Sequence, residues 1–157
     1  MSENQKKIWI TGASSGIGKA LAEKFAGEGW KVAISARRKE ILDEMSKDVN
    51  IFSYPLDVTN QDQINETFKK IINEFKNIDL CIFSSGTYDP KLEQEINIKQ
   101  NKFVMETNFF GVLYCIKSVE KYFKERKNGH ISIISSVAAY RGLPNSSGYG
   151  PSKAALT

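Results

Sequence analysis

The residues of this chain best suited to proton chemistry are Ser136, Tyr149 and Lys153. Tyr149 and Lys153 are four positions apart, which places them on one face of a helix. An ammonium group beside a phenol favours the phenolate and lowers the pKa of the tyrosine toward neutrality. Such a tyrosine can give or take a proton during carbonyl reduction or alcohol oxidation, and a serine hydroxyl can hydrogen-bond the substrate oxygen as charge develops. Because Tyr-x-x-x-Lys also occurs by chance on surface helices, the pair needs support from the rest of the chain.

A glycine-rich stretch indicates a phosphate ligand. It follows the apolar run 8–10 and precedes residues 17–25, whose apolar positions recur at helical spacing. The first N–H groups of a helix lack internal partners and carry partial positive charge, and glycines let a phosphate approach the backbone closely. A glycine-rich turn without a ligand is the alternative. The residues of this candidate site are Thr11, Gly12, Ser14, Ser15, Gly16, Ile17 and Gly18.

Two arginines after the second predicted strand indicate which dinucleotide would bind. In dinucleotide-binding folds an acidic residue at this position holds the ribose 2′-OH of NAD, whereas an arginine accommodates the 2′-phosphate of NADP. Here the strand is followed by Arg37 and Arg38, and no acid stands at its end. Because a guanidinium can pair with a phosphate through two hydrogen bonds, the sequence favours NADP(H) over NAD(H). The alternative is that both arginines only cover the surface ahead of a helix.

Predicted strands alternate with predicted helices along the whole chain. We expect strands at 8–10, 31–36, 50–54, 78–83 and 131–135. Continuous apolar strands with helices between them indicate an α/β fold with a doubly wound, Rossmann-like parallel sheet. Ligands in such sheets bind beyond the carboxyl ends of the strands. The residues expected at those ends are Thr11 to Gly18, Arg37, Asp57, Ser84 to Gly86, and Ser135 with Ser136.

Helix boundaries are predicted from caps and from breaks in the periodic pattern. Gly29 is expected to end the first helix. Thr59 is the predicted N-cap of an amphipathic helix that runs to Phe75, with Asp62 placed to assist it. A long helical region is predicted from about residue 98 to residue 127, with an interruption near residues 108–111.

Together these features resemble the short-chain dehydrogenase/reductase family. The family's usual Asn-Asn-Ala-Gly after the fourth strand appears here as Phe83-Ser84-Ser85-Gly86, which keeps the glycine. The other motifs match in order and spacing along the whole chain: Thr11-Gly12-x-x-x-Gly16-x-Gly18, Asp57-Val58, Asn108, Ser136, and Tyr149-x-x-x-Lys153 followed by Ala154-Ala155-Leu156.

The resemblance implies a role for each matched residue. Tyr149 would be the acid/base, and Lys153 would lower its pKa while binding the nicotinamide ribose. Ser136 would orient the substrate carbonyl, and Asn108 would support a proton-relay water through a break in its helix. Asp57 would contact the adenine, or it serves only as a turn residue beside a helix. The implied cofactor-binding set is Thr11, Gly12, Ser14, Ser15, Gly16, Ile17, Gly18, Arg37, Arg38, Asp57, Val58, Ser85, Gly86, Asn108, Tyr149 and Lys153.

The resemblance implies an NADP-dependent oxidoreductase that transfers a hydride between the nicotinamide and a carbonyl or secondary alcohol. Family members run to about 250 residues. Residues 1–157 are therefore expected to form a single dinucleotide-binding and catalytic domain that is incomplete at its C-terminus, with the first five strands present and the later ones missing. A truncated, non-catalytic dinucleotide-binding fragment is the alternative. At full length the protein would be a homo-oligomer.

The amino-acid composition indicates which kinds of binding partner to expect. The 157 residues are 41% hydrophobic and 25% charged, with a net charge of +4, which is typical of a soluble globular domain. The lysines are scattered along helices, so nucleic acid is not an expected partner. No apolar stretch is long enough to span a membrane, the N-terminus is polar up to Lys7, and Cys81 and Cys115 lack metal-ligand spacing. We therefore expect a cytoplasmic protein with a small-molecule substrate and no metal.

Overall fold

A computed structural model describes residues 5–157 as one parallel sheet with helices on both faces. The order of the strands across the sheet is β3-β2-β1-β4-β5, and all neighbouring pairs are parallel. Because β1 pairs with both β2 and β4, the order reverses at β1 and a crevice opens at the carboxyl ends of these strands. The predicted doubly wound, Rossmann-like sheet is confirmed. The strands are β1 (Lys7–Thr11), β2 (Lys31–Ser35), β3 (Ile51–Ser53), β4 (Leu80–Phe83) and β5 (His130–Ile133).

Six α-helices connect and follow the strands within residues 5–157. A π-helical turn at Glu106–Phe110 joins the fourth and fifth helices, and a short 3₁₀ turn at Val137–Ala139 precedes the sixth. The predicted interruption of the long helix is confirmed, although the turn starts two residues earlier than expected. The helices are α1 (Gly16–Gly27), α2 (Lys39–Met45), α3 (Gln61–Phe75), α4 (Ile98–Met105), α5 (Gly111–Arg126) and α6 (Tyr149–Ala154).

The central strand β1 divides the core into two layers because its side chains alternate between the faces of the sheet. Trp9 packs in the layer covered by α3 and α5, where it stacks on Phe68 with the ring centroids 5.6 Å apart. Ile8 and Ile10 pack in the layer covered by α1 and α2. Burial of each large apolar side chain contributes roughly 1.5–3 kcal/mol to stability. This packing fixes the carboxyl end of β1.

The start of α3 differs by one residue from the prediction. The side-chain oxygen of Asn60 accepts a hydrogen bond from the backbone N–H of Gln63 at 3.1 Å, so Asn60 is the N-cap and the prediction of Thr59 is wrong. The Thr59 hydroxyl instead donates to Oδ1 of Asp57 at 2.9 Å, which occupies it in the preceding turn. Gly29 lies just past α1 with φ +82°, as expected of a glycine that ends a helix.

The two cysteines lie in the layer between the sheet and α5. Cys81 and Cys115 are buried free thiols, and burial raises the pKa of both, that of Cys115 to about 12. Both thiols are therefore protonated at neutral pH. From residue 5 onward, no helix is long and apolar enough to cross a membrane, and no three His, Cys, Asp or Glu side chains are grouped to hold a metal ion.

Candidate active site

The carboxyl ends of β1, β2 and β4 open into a cleft of about 400 Å³. Of the predicted cofactor residues outside this lining, Thr11, Gly18 and Asn108 are buried, and Gly16 is exposed at the start of α1. The predicted residues that line the cleft are Gly12, Ser14, Ser15, Ile17, Arg37, Arg38, Asp57, Val58, Ser85, Gly86, Tyr149 and Lys153.

The loop between β1 and α1 presents backbone to the cleft. Gly12 has φ +70°, and a Cβ atom there would lie 2.6 Å from the carbonyl oxygen of Ser84 at the end of β4. A Cβ atom at Gly18 would lie 2.4 Å from the carbonyl oxygen of Gly12. The helix then starts at Gly16 with no acidic residue in its first turn, so its positive end is not neutralised there. This arrangement can bind a phosphate group.

The two arginines after β2 have different environments. The Arg38 guanidinium donates from Nε and Nη2 to the Ser14 hydroxyl at 3.1 and 2.9 Å, and from Nη2 to the Ser15 hydroxyl at 2.6 Å. Arg38 therefore links the end of β2 to the glycine loop. Arg37 is exposed and lines the same cleft.

Asp57 and Val58 form the next part of the wall. Oδ1 of Asp57 accepts hydrogen bonds from the backbone N–H and the hydroxyl of Thr59, so the expected turn role of Asp57 is present while the residue also lines the cleft. Val58 is buried against the start of α5, where a Cβ atom at Gly111 would lie 2.8 Å from Cγ2 of Val58. Gly111 therefore allows α5 to approach the wall closely. The available sequence signal was its place as the last residue of the predicted helix break.

Tyr149 and Lys153 face this cleft from α6. The Lys153 ammonium lies 5.8 Å from the centroid of the Tyr149 ring and donates to the carbonyl oxygen of Ile134 at 2.9 Å. Lys153 is only 4% exposed, and burial lowers the pKa of its ammonium group. The site therefore holds a desolvated cation next to a phenol.

Asn108 connects the π-helical turn to two other parts of the site. Its side chain is fully buried, accepts from the Thr87 backbone N–H at 2.7 Å, and donates to the Thr87 carbonyl at 2.9 Å and the Ser152 hydroxyl at 3.1 Å. The amide of Asn108 thereby holds the loop after β4 against α6. Its part in a proton relay stays a prediction.

A family model for short chain dehydrogenases matches residues 6–157. The chain belongs to the short-chain dehydrogenase family. It is 33% identical over 158 residues to dehydrogenase/reductase SDR family member 7 of Mus musculus, an alignment that covers 95% of this chain and 47% of that protein. The chain thus spans about half the length of this curated relative, and 63% of an uncharacterised oxidoreductase of Mycobacterium tuberculosis.

Solved structures agree with this assignment. The structure of ElxO with NADP bound has a TM-score of 0.89 and 30% identity, covering 97% of this chain and 64% of that one. Serine dehydrogenase from Escherichia coli has a TM-score of 0.87 and 28% identity, covering 96% of this chain and 71% of that one.

Ser136 lies between β5 and the 3₁₀ turn and is not part of the cleft lining. Its hydroxyl accepts from the backbone N–H of Ala138 at 3.2 Å and caps that turn. The neighbouring Ser135 lines the cleft, and its hydroxyl donates to the carbonyl oxygen of Lys153 at 3.4 Å. The predicted contact between Ser136 and a substrate oxygen stays a prediction.

Two further residues of the cleft could not be predicted from the sequence, namely Tyr88 and Thr107. The ring of Tyr88 stacks on that of Tyr149 with centroids 4.5 Å apart, and its hydroxyl donates to the carbonyl oxygen of Asn145 at 3.2 Å. The hydroxyl of Thr107 is buried without a hydrogen-bond partner among the described residues. Tyr88 lies in an irregular loop and Thr107 directly precedes the predicted helix break, so the only sequence signal was their proximity to Gly86 and Asn108.

Proposed function

We propose that this short-chain dehydrogenase is an NADP-dependent oxidoreductase that interconverts a carbonyl compound and the corresponding secondary alcohol. The observation that carries the proposal is that Tyr149 and Lys153 face the same cleft as the glycine loop before α1. Residues 1–157 would provide the dinucleotide-binding and catalytic functions in a single domain.

The residues present fit a dinucleotide. A Cβ atom at Gly12 or Gly18 would collide with the backbone of Ser84 or Gly12, so these glycines let the loop pack tightly beside β4 at the edge of the cleft. The start of α1 in this loop suits a phosphate group. Arg37, Arg38 and Lys153 bring positive charge to the cleft, which suits an anionic ligand. ElxO, a solved structure similar to this chain, has NADP bound. When bound, the nicotinamide would supply or accept the electron pair of the reaction.

The side chains of this chain would move the proton. In the reducing direction the Oη–H bond of Tyr149 breaks as a new O–H bond forms on the substrate oxygen. The buried ammonium of Lys153 stabilises the phenolate that remains, and the carbonyl oxygen of Ile134 holds that ammonium in place. In the oxidising direction the phenolate takes the proton back.

Turnover by the purified protein tests this proposal. The protein would be mixed with NADPH and a panel of aldehydes and ketones, and in the reverse direction with NADP and secondary alcohols. We expect consumption of NADPH with formation of an equal amount of alcohol. Tight binding of NADPH without turnover in either direction would favour the alternative of a non-catalytic dinucleotide-binding protein, and absence of binding would refute both functions.

The preference for NADP rests on Arg37 and Arg38. We expect Arg38→Ala to raise the KM for NADPH by roughly 10- to 100-fold, because hydrogen bonds to a charged group contribute about 1.5–3 kcal/mol. The KM for NADH, which lacks the 2′-phosphate, should change by less than about threefold. Both constants would be measured by steady-state kinetics.

Lys39→Ala provides the matched control for Arg38→Ala. Lys39 is the next residue along the chain, is exposed, and forms an ion pair with Asp43. We expect this variant to keep the wild-type KM for both nucleotides. An equal loss for NADPH and NADH in Arg38→Ala would mean that Arg38 only orders Ser14 and Ser15, and would contradict the proposed preference.

We also propose that the full-length protein forms a homo-oligomer through the surface of α4, the π-helical turn and α5. Phe103, Phe110 and Leu113 on this surface are each about two-fifths exposed. A second copy of the chain would remove them from water. We expect Phe110→Lys to lower the molar mass measured by light scattering to that of a monomer. A monomeric wild type would contradict the proposal.

A further inference from the structure

A buried carboxylate holds the first turn of α6. Glu93 lies in the loop between β4 and α4 and is only 2% exposed. Its Oε2 atom accepts hydrogen bonds from the backbone N–H groups of Gly148 at 2.8 Å and Tyr149 at 2.9 Å. The other oxygen, Oε1, is buried and has no partner among residues 5–157. The hydrogen bonds of this carboxylate therefore go to these two amides.

Glu93 takes the place of an N-cap side chain for α6, because the N-cap residue Gly148 has no side chain to accept a hydrogen bond. The first N–H groups of a helix need partners outside it. In α6 the N–H of Gly150 bonds to the carbonyl of Ser146 at 3.0 Å, Pro151 has no N–H, and no side chain of the capping residue Gly148 is available. Glu93 satisfies the amides that are left, and its negative charge suits the positive end of the helix.

The helix needs such support because it is short. α6 contains six residues, and isolated helices of this length are not stable in water. Its other contacts reach the first turn through side chains, namely the stacking of Tyr88 on Tyr149 and the bond from Asn108 to Ser152. Within residues 5–157, Glu93 is the only group outside α6 that bonds to the backbone of Tyr149. The other side-chain bond to that backbone comes from inside the helix, where the Ser152 hydroxyl donates to the Tyr149 carbonyl oxygen at 2.7 Å.

We propose that Glu93 is a positioning residue for the reaction. By fixing the backbone of Tyr149, it sets the position of the phenol relative to Lys153 and to the substrate. This inference rests on the proposed function, because it assigns Tyr149 the proton transfer. Glu93 touches no reacting atom, so its contribution is to geometry alone.

Two variants of Glu93 test this role. In Glu93→Ala the amides of Gly148 and Tyr149 lose their acceptor, and we expect kcat to fall by about 10- to 100-fold because displacement of a catalytic group by about 1 Å has an effect of this size. Binding of NADPH should weaken by less than about threefold, since the glycine loop is unchanged. Glu93→Gln keeps an acceptor oxygen, and we expect its kcat to stay within about threefold of the wild type.

The matched control is Glu95→Ala, which removes an exposed carboxylate from the same loop. We expect it to behave as the wild type. Amide hydrogen exchange provides a readout that does not depend on turnover: the amides of Gly148 and Tyr149 should exchange at least about tenfold faster in Glu93→Ala and not in the control.

The outcomes separate this inference from the proposed function. An active wild type with an equally active Glu93→Ala, or with unchanged exchange at Tyr149, would overturn the inference alone. Equal losses in Glu93→Ala and Glu93→Gln would also overturn it, because the hydrogen bonds would then not be the cause. No turnover by the wild type, with NADPH bound, would refute the proposed function and remove the catalytic role of Glu93 with it.

Discussion

Replacing Tyr149 with phenylalanine is expected to lower kcat by about 10³-fold or more while NADPH binds nearly as tightly as in the wild type. Phenylalanine keeps the ring that stacks on Tyr88, with centroids 4.5 Å apart, and removes only the hydroxyl. The variant therefore isolates proton transfer from the packing of α6. Steady-state kinetics gives kcat, and a fluorescence titration gives the dissociation constant of NADPH.

Tyr140→Phe is the appropriate control for this substitution. Tyr140 is 81% exposed and lies outside the lining of the cleft that contains Tyr149. Loss of its hydroxyl should leave kcat unchanged. Full activity of Tyr149→Phe would show that another group transfers the proton, and the acid/base assignment would be wrong.

Lys153→Met is expected to have two opposite effects, a loss of activity and a gain in stability at neutral pH. The phenolate of Tyr149 loses the neighbouring positive charge, and kcat should fall by about 10²- to 10³-fold. The free energy of unfolding should rise, because an uncharged side chain of similar length avoids burying an ammonium group that is 4% exposed.

The pH dependence of stability follows from the direction of the shift. Burial lowers the pKa of Lys153 in the folded state below its ordinary value of 10.5. Between these two pKa values the unfolded chain binds more protons than the folded chain, so the stability of the wild type rises with pH in this window. At pH values below the folded-state pKa, Lys153 is charged in the folded protein, and the full free-energy cost of burying that charge lowers the stability. In Lys153→Met this increase in the free energy of unfolding with pH should be absent.

Urea unfolding of the wild type and Lys153→Met, at neutral pH and again near pH 10, measures both effects. Lys121→Met serves as the control, because the Lys121 side chain is 85% exposed on α5. A less stable Lys153→Met at neutral pH would mean that the bond to the Ile134 carbonyl outweighs desolvation. Unchanged kcat would refute the role of Lys153 in the reaction.

The sheet could be predicted from the sequence because its strands are continuous apolar runs separated by helical patterns. Strand ends were less predictable, since pairing decides them. β4 begins at Leu80, which pairs with Ile8 of β1, although the predicted strand starts at Ile78. The start of α3 was missed because Thr59 and Asn60 are both good caps, and the turn at Asp57 takes the Thr59 hydroxyl.

The parts of the site that depend on spacing within one element could be predicted, and those that depend on contacts between loops could not. Tyr149 and Lys153 are on one helix, so their periodicity indicates that they lie together. Glu93 meets Tyr149 across 56 positions, and Tyr88 meets Asn145 across 57. A single polar residue in an irregular loop carries no periodic signal, so only the folded chain reveals such partners.

The contact between Gly12 and Ser84 has a consequence for how the protein folds during synthesis. The glycine loop belongs to the first twenty residues, but its shape depends on backbone at Ser84, and one edge of β1 pairs with β4 through residues 80–83. A nascent chain can pair β1 with β2 soon after residue 35 leaves the ribosome. The other edge of β1 then stays open until β4 emerges, and unpaired edges of this kind favour aggregation. The glycine loop therefore gains its contact with Ser84 late in folding, although it lies near the start of the chain.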